Sequence, residues 1–194
     1  MIKYTNWFLA LALSACTVGA MIPAAMADTA GGNVEAEAVS TSSLPIENRI
    51  KAYNELVRKI NADKNADKNI ILDKGLELLA SPDLKDANQQ KQVRRTVLDN
   101  ARKYNQNVLE KLSREIVADV NAGMDLRIAA NRDLINIEFN RNNIDAAKKA
   151  AESAIAWANQ TPDNIAENYK NYGDLLFMNN ECDAAVKIYR KMGE

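Results

Sequence analysis

The residue types that perform most enzyme chemistry are scarce in this 194-residue sequence. There is no histidine, the commonest general base and metal ligand at neutral pH. The two cysteines are Cys16, near the start, and Cys182. Removal of a leader that contains Cys16 would leave one thiol, which can form neither an internal disulfide nor a cysteine-rich zinc site. We therefore expect no catalytic residues, no metal and no cofactor.

Charged side chains are abundant but balanced. The chain has 25 Lys and Arg against 26 Asp and Glu, a formal net charge of -1. Nucleic acids and anionic membrane surfaces select a basic excess, so neither is an expected partner. Glu110, Glu115 and Asp119 lie among basic residues at helical spacing, which is typical of surface ion pairs rather than of a paired-carboxylate active site. The basic cluster around Arg94 and Arg95 is likewise interpreted as a solvated helix face.

The first 27 residues have the pattern of a secretory signal peptide. Lys3 gives a positive start, residues 7–13 are mostly apolar, and Ala25-Met26-Ala27 offers small residues at a cleavage site. Residues 28–44 are small and polar without periodicity, and they are predicted to be a flexible linker. We therefore expect an exported protein, periplasmic or otherwise outside the cytoplasm.

A second interpretation of the leader stays open. Residues 13–16, Leu-Ser-Ala-Cys, resemble the lipobox of bacterial lipoproteins, in which an acylated Cys16 would tether the chain to a membrane. The apolar residues after Cys16 favour cleavage after Ala27, because a polar spacer usually follows a lipid anchor. A membrane is an expected partner only if Cys16 is lipidated.

An internal repeat is visible in the last third of the chain. Residues 139–147 and 177–185 share Phe, Asn, Asp, Ala and Ala at an offset of 38 residues, from Phe139 to Phe177. In each copy the Asn cluster is predicted to end one helix, and the Asp to lie at the start of the next. From residue 46 onward, apolar residues recur every three or four positions, which predicts helices with one apolar face each.

These patterns predict an all-α fold of stacked antiparallel helical hairpins. A hairpin with one apolar face per helix cannot bury it alone, so successive hairpins must stack. The expected helical-repeat domain covers residues 45–194, in units of about 45–80, 82–121, 124–160 and 162–194. The paired helices are expected at 46–62 with 66–80, 84–103 with 106–121, 124–140 with 144–158, and 163–178 with 182–192.

The last unit resembles a tetratricopeptide repeat (TPR). The residues that carry the resemblance are Tyr169, Tyr172, Gly173, Leu176, Ala185 and Tyr189, at the spacing where that family has aromatic, large apolar and small residues. The unit before it departs from the pattern at Ile135, where the family has a small residue. The resemblance is specific over residues 125–194 and implies a TPR-like α-solenoid. Gly173 is expected to let a neighbouring helix approach closely.

The resemblance also implies a function. Tetratricopeptide repeats commonly hold an extended peptide on polar side chains of the first helix of each unit. The expected peptide-binding residues on those helices are Asn131, Arg132, Asn168 and Asn171, because an Asn amide offers both a donor and an acceptor. No solvating helix follows Tyr189, so a homo-oligomer through this uncapped repeat is a further expectation.

We therefore expect a non-catalytic module or scaffold of the bacterial cell envelope that binds a protein or a peptide. Two alternatives stay open. In the first, residues 84–121 form one long helix of a structural coiled coil. In the second, the chain is an accessory domain of a cell-wall enzyme. A helix break at residues 104–107 would favour hairpins over the coiled coil.

Overall fold

The computed structural model of this chain describes the backbone of residues 27–193 and the side chains of residues 34–193. Those residues form nine α-helices and no β-strand, so the all-α prediction is confirmed for them. The leader up to residue 26, with Cys16, lies outside the described residues. The helices are α1 (Ala27–Ser40), α2 (Ile46–Ala62), α3 (Asn69–Leu79), α4 (Ala87–Tyr104), α5 (Gln106–Ala118), α6 (Met124–Asn140), α7 (Ile144–Ile155), α8 (Pro162–Met178) and α9 (Cys182–Arg190).

The segment expected to be a linker, residues 28–44, is mostly helix α1. This helix has almost no apolar stripe, which is why periodicity did not reveal it, but its alanines favour helix. Its last turn packs against the domain, and Val39 is fully buried. We therefore correct the expected linker to a packed helix followed by a short turn at residues 41–45.

A buried arginine holds α1 in place. Arg49 on α2 is only 4% exposed, and its Nε donates to the carbonyl oxygen of Val39 at 2.7 Å. Its Nη1 donates to Ser81 Oγ at 2.9 Å and lies 3.8 Å from Asp83 Oδ2. The carbonyl end of a helix carries partial negative charge, so a cation there is favourable. Arg49 thus links α1, α2 and the loop after α3.

The same arrangement recurs between α5 and α6. Arg127, the fourth residue of α6 as Arg49 is of α2, donates from Nε and Nη2 to the carbonyl oxygen of Val117 at 3.2 and 3.1 Å. The offset is 78 residues for both members, from 49 to 127 and from 39 to 117. The guanidinium of Arg127 also lies 4.3 Å from the ring centroid of Trp157. The pairs α1–α2 and α5–α6 therefore share the same contact between an arginine and the end of the preceding helix.

The packing of the helices differs from the expected pairing in the first half of the chain. There the most extensive contacts join α1 with α2, α3 with α4, and α5 with α6, rather than α2 with α3 and α4 with α5. In the second half α6 packs on α7, and α8 on α9, as expected. Alternate helices also touch, in the pairs α1–α3, α4–α6 and α6–α8. In the described part of the chain, each helix thus contacts its neighbours along the sequence.

A single residue separates α4 from α5. Asn105 has extended φ and ψ of -153° and 99°, and its side chain accepts hydrogen bonds from the amides of Asn107 and Val108. It therefore ends one helix and caps the next. The long helix over 84–121 that the coiled-coil alternative requires is not present.

The two corners predicted from the repeat have the same geometry. Asn142 and Asn180 have φ of 60° and 62°, in the left-handed region that Asn tolerates better than most residues. In each corner this amide and the next one donate back to carbonyls of the preceding helix, which is the Schellman pattern. The predicted helix breaks at residues 141–143 and 179–181 are confirmed.

The buried side chains form a large cluster and a small one. The large cluster runs from α1 to α6, and the small one joins Ile135, Ala147, Ala151 and Leu175 on α6, α7 and α8. At Gly173 an added Cβ would overlap the ring of Tyr189, so the close approach predicted there is confirmed. None of the helices in the described part combines the length and the hydropathy that crossing a membrane requires.

Candidate functional site

Arg132 is the one expected binding residue with an exposed side chain, and it lines a groove between α6 and α8. The groove has a volume of about 350 Å³. Its lining residues are Asp125, Ile128, Ala129 and Arg132 on α6, with Asn164 and Glu167 on α8. The groove exists because α6 and α8 lie side by side with α7 behind them.

The floor of this groove is apolar and its walls are charged. Ile128, which is 5% exposed, and Ala129 supply the floor. Across it, Arg132 Nη1 lies 3.7 Å from Glu167 Oε1, and both side chains are about half exposed. Exposed ion pairs contribute little to stability. A ligand can therefore replace this ion pair with its own polar contacts to Arg132 and Glu167 at a small cost in free energy.

A second depression, of about 330 Å³, lies along α4. Its lining residues are Asn88, Lys91, Gln92, Arg95, Thr96 and Asp99. Asp125 connects the two, because it accepts from Lys91 Nζ and from Arg95 Nη2, each at 2.7 Å. Partial burial opposes ionisation of Asp125, but the hydrogen bond and charge of Lys91, with the charge of Arg95, outweigh it and lower its pKa. We call the residues that line one or the other of these two depressions, taken together, the α4–α6–α8 face.

A buried carboxylate fixes α4 to α6 beneath this face. Asp133 is 6% exposed and accepts from Arg102 Nε at 2.8 Å and from Arg102 Nη2 at 2.8 Å. Arg102 also donates to Asp99. The hydrogen bond to Asp133 is the main reason why the pKa of Arg102 is raised. A bidentate charged pair thus holds α4 against α6. It fixes the position of the depression on α4 relative to the groove beside α6.

Asn131 and Asn168 lie inside the helix packing rather than on this face. Asn131 is 2% exposed, and its Nδ2 donates to the carbonyl oxygen of Ala150 at 3.3 Å. Asn168 is 1% exposed, and its Nδ2 donates to the carbonyl oxygen of Ala154 at 3.0 Å and to Gln160 Oε1 at 2.6 Å. Both amides bind carbonyls of α7 and so join α6 and α8 to it. We therefore assign these two asparagines a structural role in place of the expected ligand contact.

Asn171 is a different case. It is 6% exposed, and its Nδ2 has no hydrogen-bond partner within the described part of the chain. It lies one turn after Glu167 on α8, so it belongs to the helix that forms one wall of the groove. A buried amide without a partner carries an energetic penalty. Asn171 is not among the residues that line either depression, so the structure does not bring it together with Arg132 as a contact for a ligand.

The remaining charged clusters are ion pairs, as the sequence indicated. Arg94 Nη1 lies 2.6 Å from Asp119 Oδ2, and Glu110 accepts from both Arg114 and Arg141. Cys182 is an exposed thiol at the start of α9. The described residues contain no group of three or more His, Cys, Asp or Glu side chains placed to hold a metal ion.

Three polar residues that line this groove carry no signal in the sequence. Asp125, Asn164 and Glu167 line the groove but are ordinary polar residues of amphipathic helices, without a motif that marks them. Their role follows only from the contact between α6 and α8, which brings residues about forty positions apart to the two sides of one groove.

Comparisons with protein-family models, with curated proteins and with solved structures give no match for this chain.

Proposed function

We propose that this chain is a non-catalytic binding module that takes an extended segment of another protein on its α4–α6–α8 face. The observation that carries the proposal is the groove between α6 and α8, with an apolar floor at Ile128 and opposite charges on its walls. Ligand sites usually combine such an apolar surface with a few polar groups that fix orientation.

The groove suits a peptide better than a compact metabolite. Asp125 on its wall is ion-paired with Lys91 and Arg95, which line the depression on α4, so a linear ligand could contact both. An apolar side chain of the ligand would lie on Ile128 and Ala129. The peptide groups on either side of it would bond to Arg132, Asn164 and Glu167, which together offer donors and acceptors.

The resemblance of residues 125–194 to tetratricopeptide repeats supports the same proposal. In such repeats the first helices of successive units lie side by side and present a peptide-binding surface. On this resemblance α6 and α8 would be those helices, and the two helices are in contact. The packing of Gly173 against Tyr189 matches the small and aromatic positions of the last unit.

The test is peptide selection against the purified protein, followed by measured affinities. We expect selected peptides to bind the double variant Arg132→Ala/Glu167→Ala about tenfold more weakly, since charged contacts at the centre of an interface are often its strongest. The matched control is Arg58→Ala/Glu55→Ala, which removes an ion pair of the same two residue types from α2. Enrichment of no peptide, or equal binding to both double variants, would reject the proposal.

We propose further that the module works in the bacterial cell envelope after export. The support is the signal-like leader of residues 1–27. Mass spectrometry of the protein isolated from its own cells separates the two interpretations of that leader. A free N-terminal Asp28 supports cleavage after Ala27, and an acylated Cys16 supports the lipoprotein. An intact leader would contradict export.

A further inference from the structure

Exposed large apolar side chains are concentrated in the last helical hairpin. Phe177 is 62% exposed, Val186 48%, Met178 46% and Met192 37%. They lie at the end of α8, along α9 and in the turn that follows it. Soluble proteins seldom gather so many large apolar side chains at one place without a binding role. We call these four residues the C-terminal apolar patch. None of them lines the α4–α6–α8 face.

The internal repeat offers a comparison for one residue of this patch, Phe177. Phe139 is the counterpart of Phe177 at the offset of 38 residues, and the corners that follow both have the same hydrogen bonds. Phe139 is half-buried, and it packs in the cluster that contains Leu175 and Tyr172 of α8. A helix of the next hairpin, α8, therefore contacts Phe139, whereas no helix covers Phe177 within the described residues.

The outer side of α9 is complementary to itself. Asp183, Val186 and Arg190 are all exposed and follow each other at spacings of three and four residues, so they form one stripe. The acidic residue lies in the first turn and the basic residue in the last. If two copies of α9 pack antiparallel about a two-fold axis near Val186, Asp183 of each copy faces Arg190 of the other. The two helix dipoles then oppose each other as well.

We propose that the C-terminal apolar patch binds a second copy of this chain and forms an isologous dimer across antiparallel α9 helices. Val186 meets its counterpart at the axis, and Phe177 lies on the apolar surface that the partner covers. The two charge pairs, one on each side of the axis, set the antiparallel orientation. Four apolar side chains make a small interface, so the dimer dissociates at low concentration.

Sedimentation over a range of concentrations tests this dimer, with Cys182→Ser in every variant to remove chance disulfides. We expect the dimer dissociation constant to rise about tenfold in Asp183→Arg and in Arg190→Asp, since each places like charges opposite each other. The double variant Asp183→Arg/Arg190→Asp restores the pairing with reversed signs and should dimerise like the parent. A double variant whose dimer dissociation constant is higher than that of both single variants would contradict the antiparallel arrangement.

Two further variants examine the axis and the apolar contact. Val186→Cys should form a covalent dimer on mild oxidation, while Lys149→Cys, on the exposed side of α7, should not. Phe177→Ser should abolish dimerisation and leave the helical circular dichroism unchanged. A parent protein that stays monomeric at every concentration, with its helices intact, would overturn the proposal and leave the patch to a helix of a different protein. These experiments do not involve peptide binding, so they succeed or fail separately from the proposed function.

Discussion

Single polar residues decide much of this structure, and they do so from inside it. Arg49 and Arg127 are buried cations that bind the last carbonyls of the helix before their own. Each would leave a buried acceptor without a partner if it were removed. The asparagines Asn131 and Asn168 act in the same way on carbonyls of α7. Hydrogen bonds from side chains to helix carbonyls, and not only apolar contact, therefore hold the helices in register.

The acid stability of the protein depends in part on one carboxylate. Arg141 and Arg114, which donate to Glu110, lower its pKa from 4.5 to about 2. Because the pKa of the folded state is the lower one, ionised Glu110 stabilises the fold above about pH 4.5 and this contribution is lost as the pH falls towards 2. We expect Glu110→Gln to be less stable than the parent at pH 7, and we expect most of that difference, but not all of it, to be lost at pH 2.5, as measured by urea unfolding.

The matched control for this comparison is Glu115→Gln, an exposed carboxylate on the same helix. It should alter the urea midpoint little at either pH. A gap between Glu110→Gln and the parent that stays constant from pH 7 to 2.5 would show that the ion pair with Arg141 does not carry the effect.

Among the helices, α1 differs most from what the sequence predicts, because a linker was expected in its place. Its composition resembles a linker, yet it is fixed by the bond from Arg49 to Val39 and by the ion pair between Lys59 and Glu35, at 2.7 Å. Lys74 and Glu77 on α3 also bond to Ser40 at its end. These contacts make α1 part of the folded unit.

Replacing Arg49 should release this helix. In Arg49→Met the carbonyl oxygen of Val39 loses its charged donor, and we expect the free energy of unfolding to fall by about 2 kcal/mol. Hydrogen exchange of residues 34–40 should become faster than that of α4. The control is Arg58→Met on the exposed side of α2, the helix that also carries Arg49. This change should alter the free energy of unfolding by less than about 0.5 kcal/mol. Unchanged protection of residues 34–40 in Arg49→Met would refute this role.

The positions of α2 to α9 could be predicted from the sequence, but the rotation of some helices could not. The spacing of apolar residues and the Asn corners mark where helices begin and end. On α6, however, buried residues lie on several sides, from Leu126 and Ile128 to Ala130 and Ile135. When a helix has no single apolar stripe, its sequence does not show which of its sides is buried. Neighbouring residues on a helix point about 100° apart, so one can be buried and the next exposed. This is why Arg132 is exposed while Asn131, beside it, is buried.

At the scale of the whole molecule, the apolar core is uneven. The large cluster joins α1 to α6, whereas α7 and α8 share a small cluster and α9 buries only Ala185. Local stability in a stack of helices follows the apolar contacts of each part. The C-terminal helices should therefore open before the rest of the domain.

Trp157 reports on that opening. It follows α7 and is the only tryptophan besides Trp7 in the leader. In a Trp7→Phe protein, we expect the tryptophan fluorescence to change at lower urea concentration than the far-ultraviolet circular dichroism, which averages over all helices. Coincident transitions would mean that the large and small clusters unfold as one cooperative unit.

The balance of charges on the α4–α6–α8 face has a kinetic consequence. Lys91 and Arg95 already share Asp125, and Arg132 already faces Glu167, so little net field reaches into the solvent. A segment that docks there arrives without long-range electrostatic guidance, at an association rate on the order of 10⁵–10⁶ M⁻¹s⁻¹ that changes little with ionic strength. Under the proposed function, this surface would select its partner by how long the partner stays bound, not by how fast it arrives.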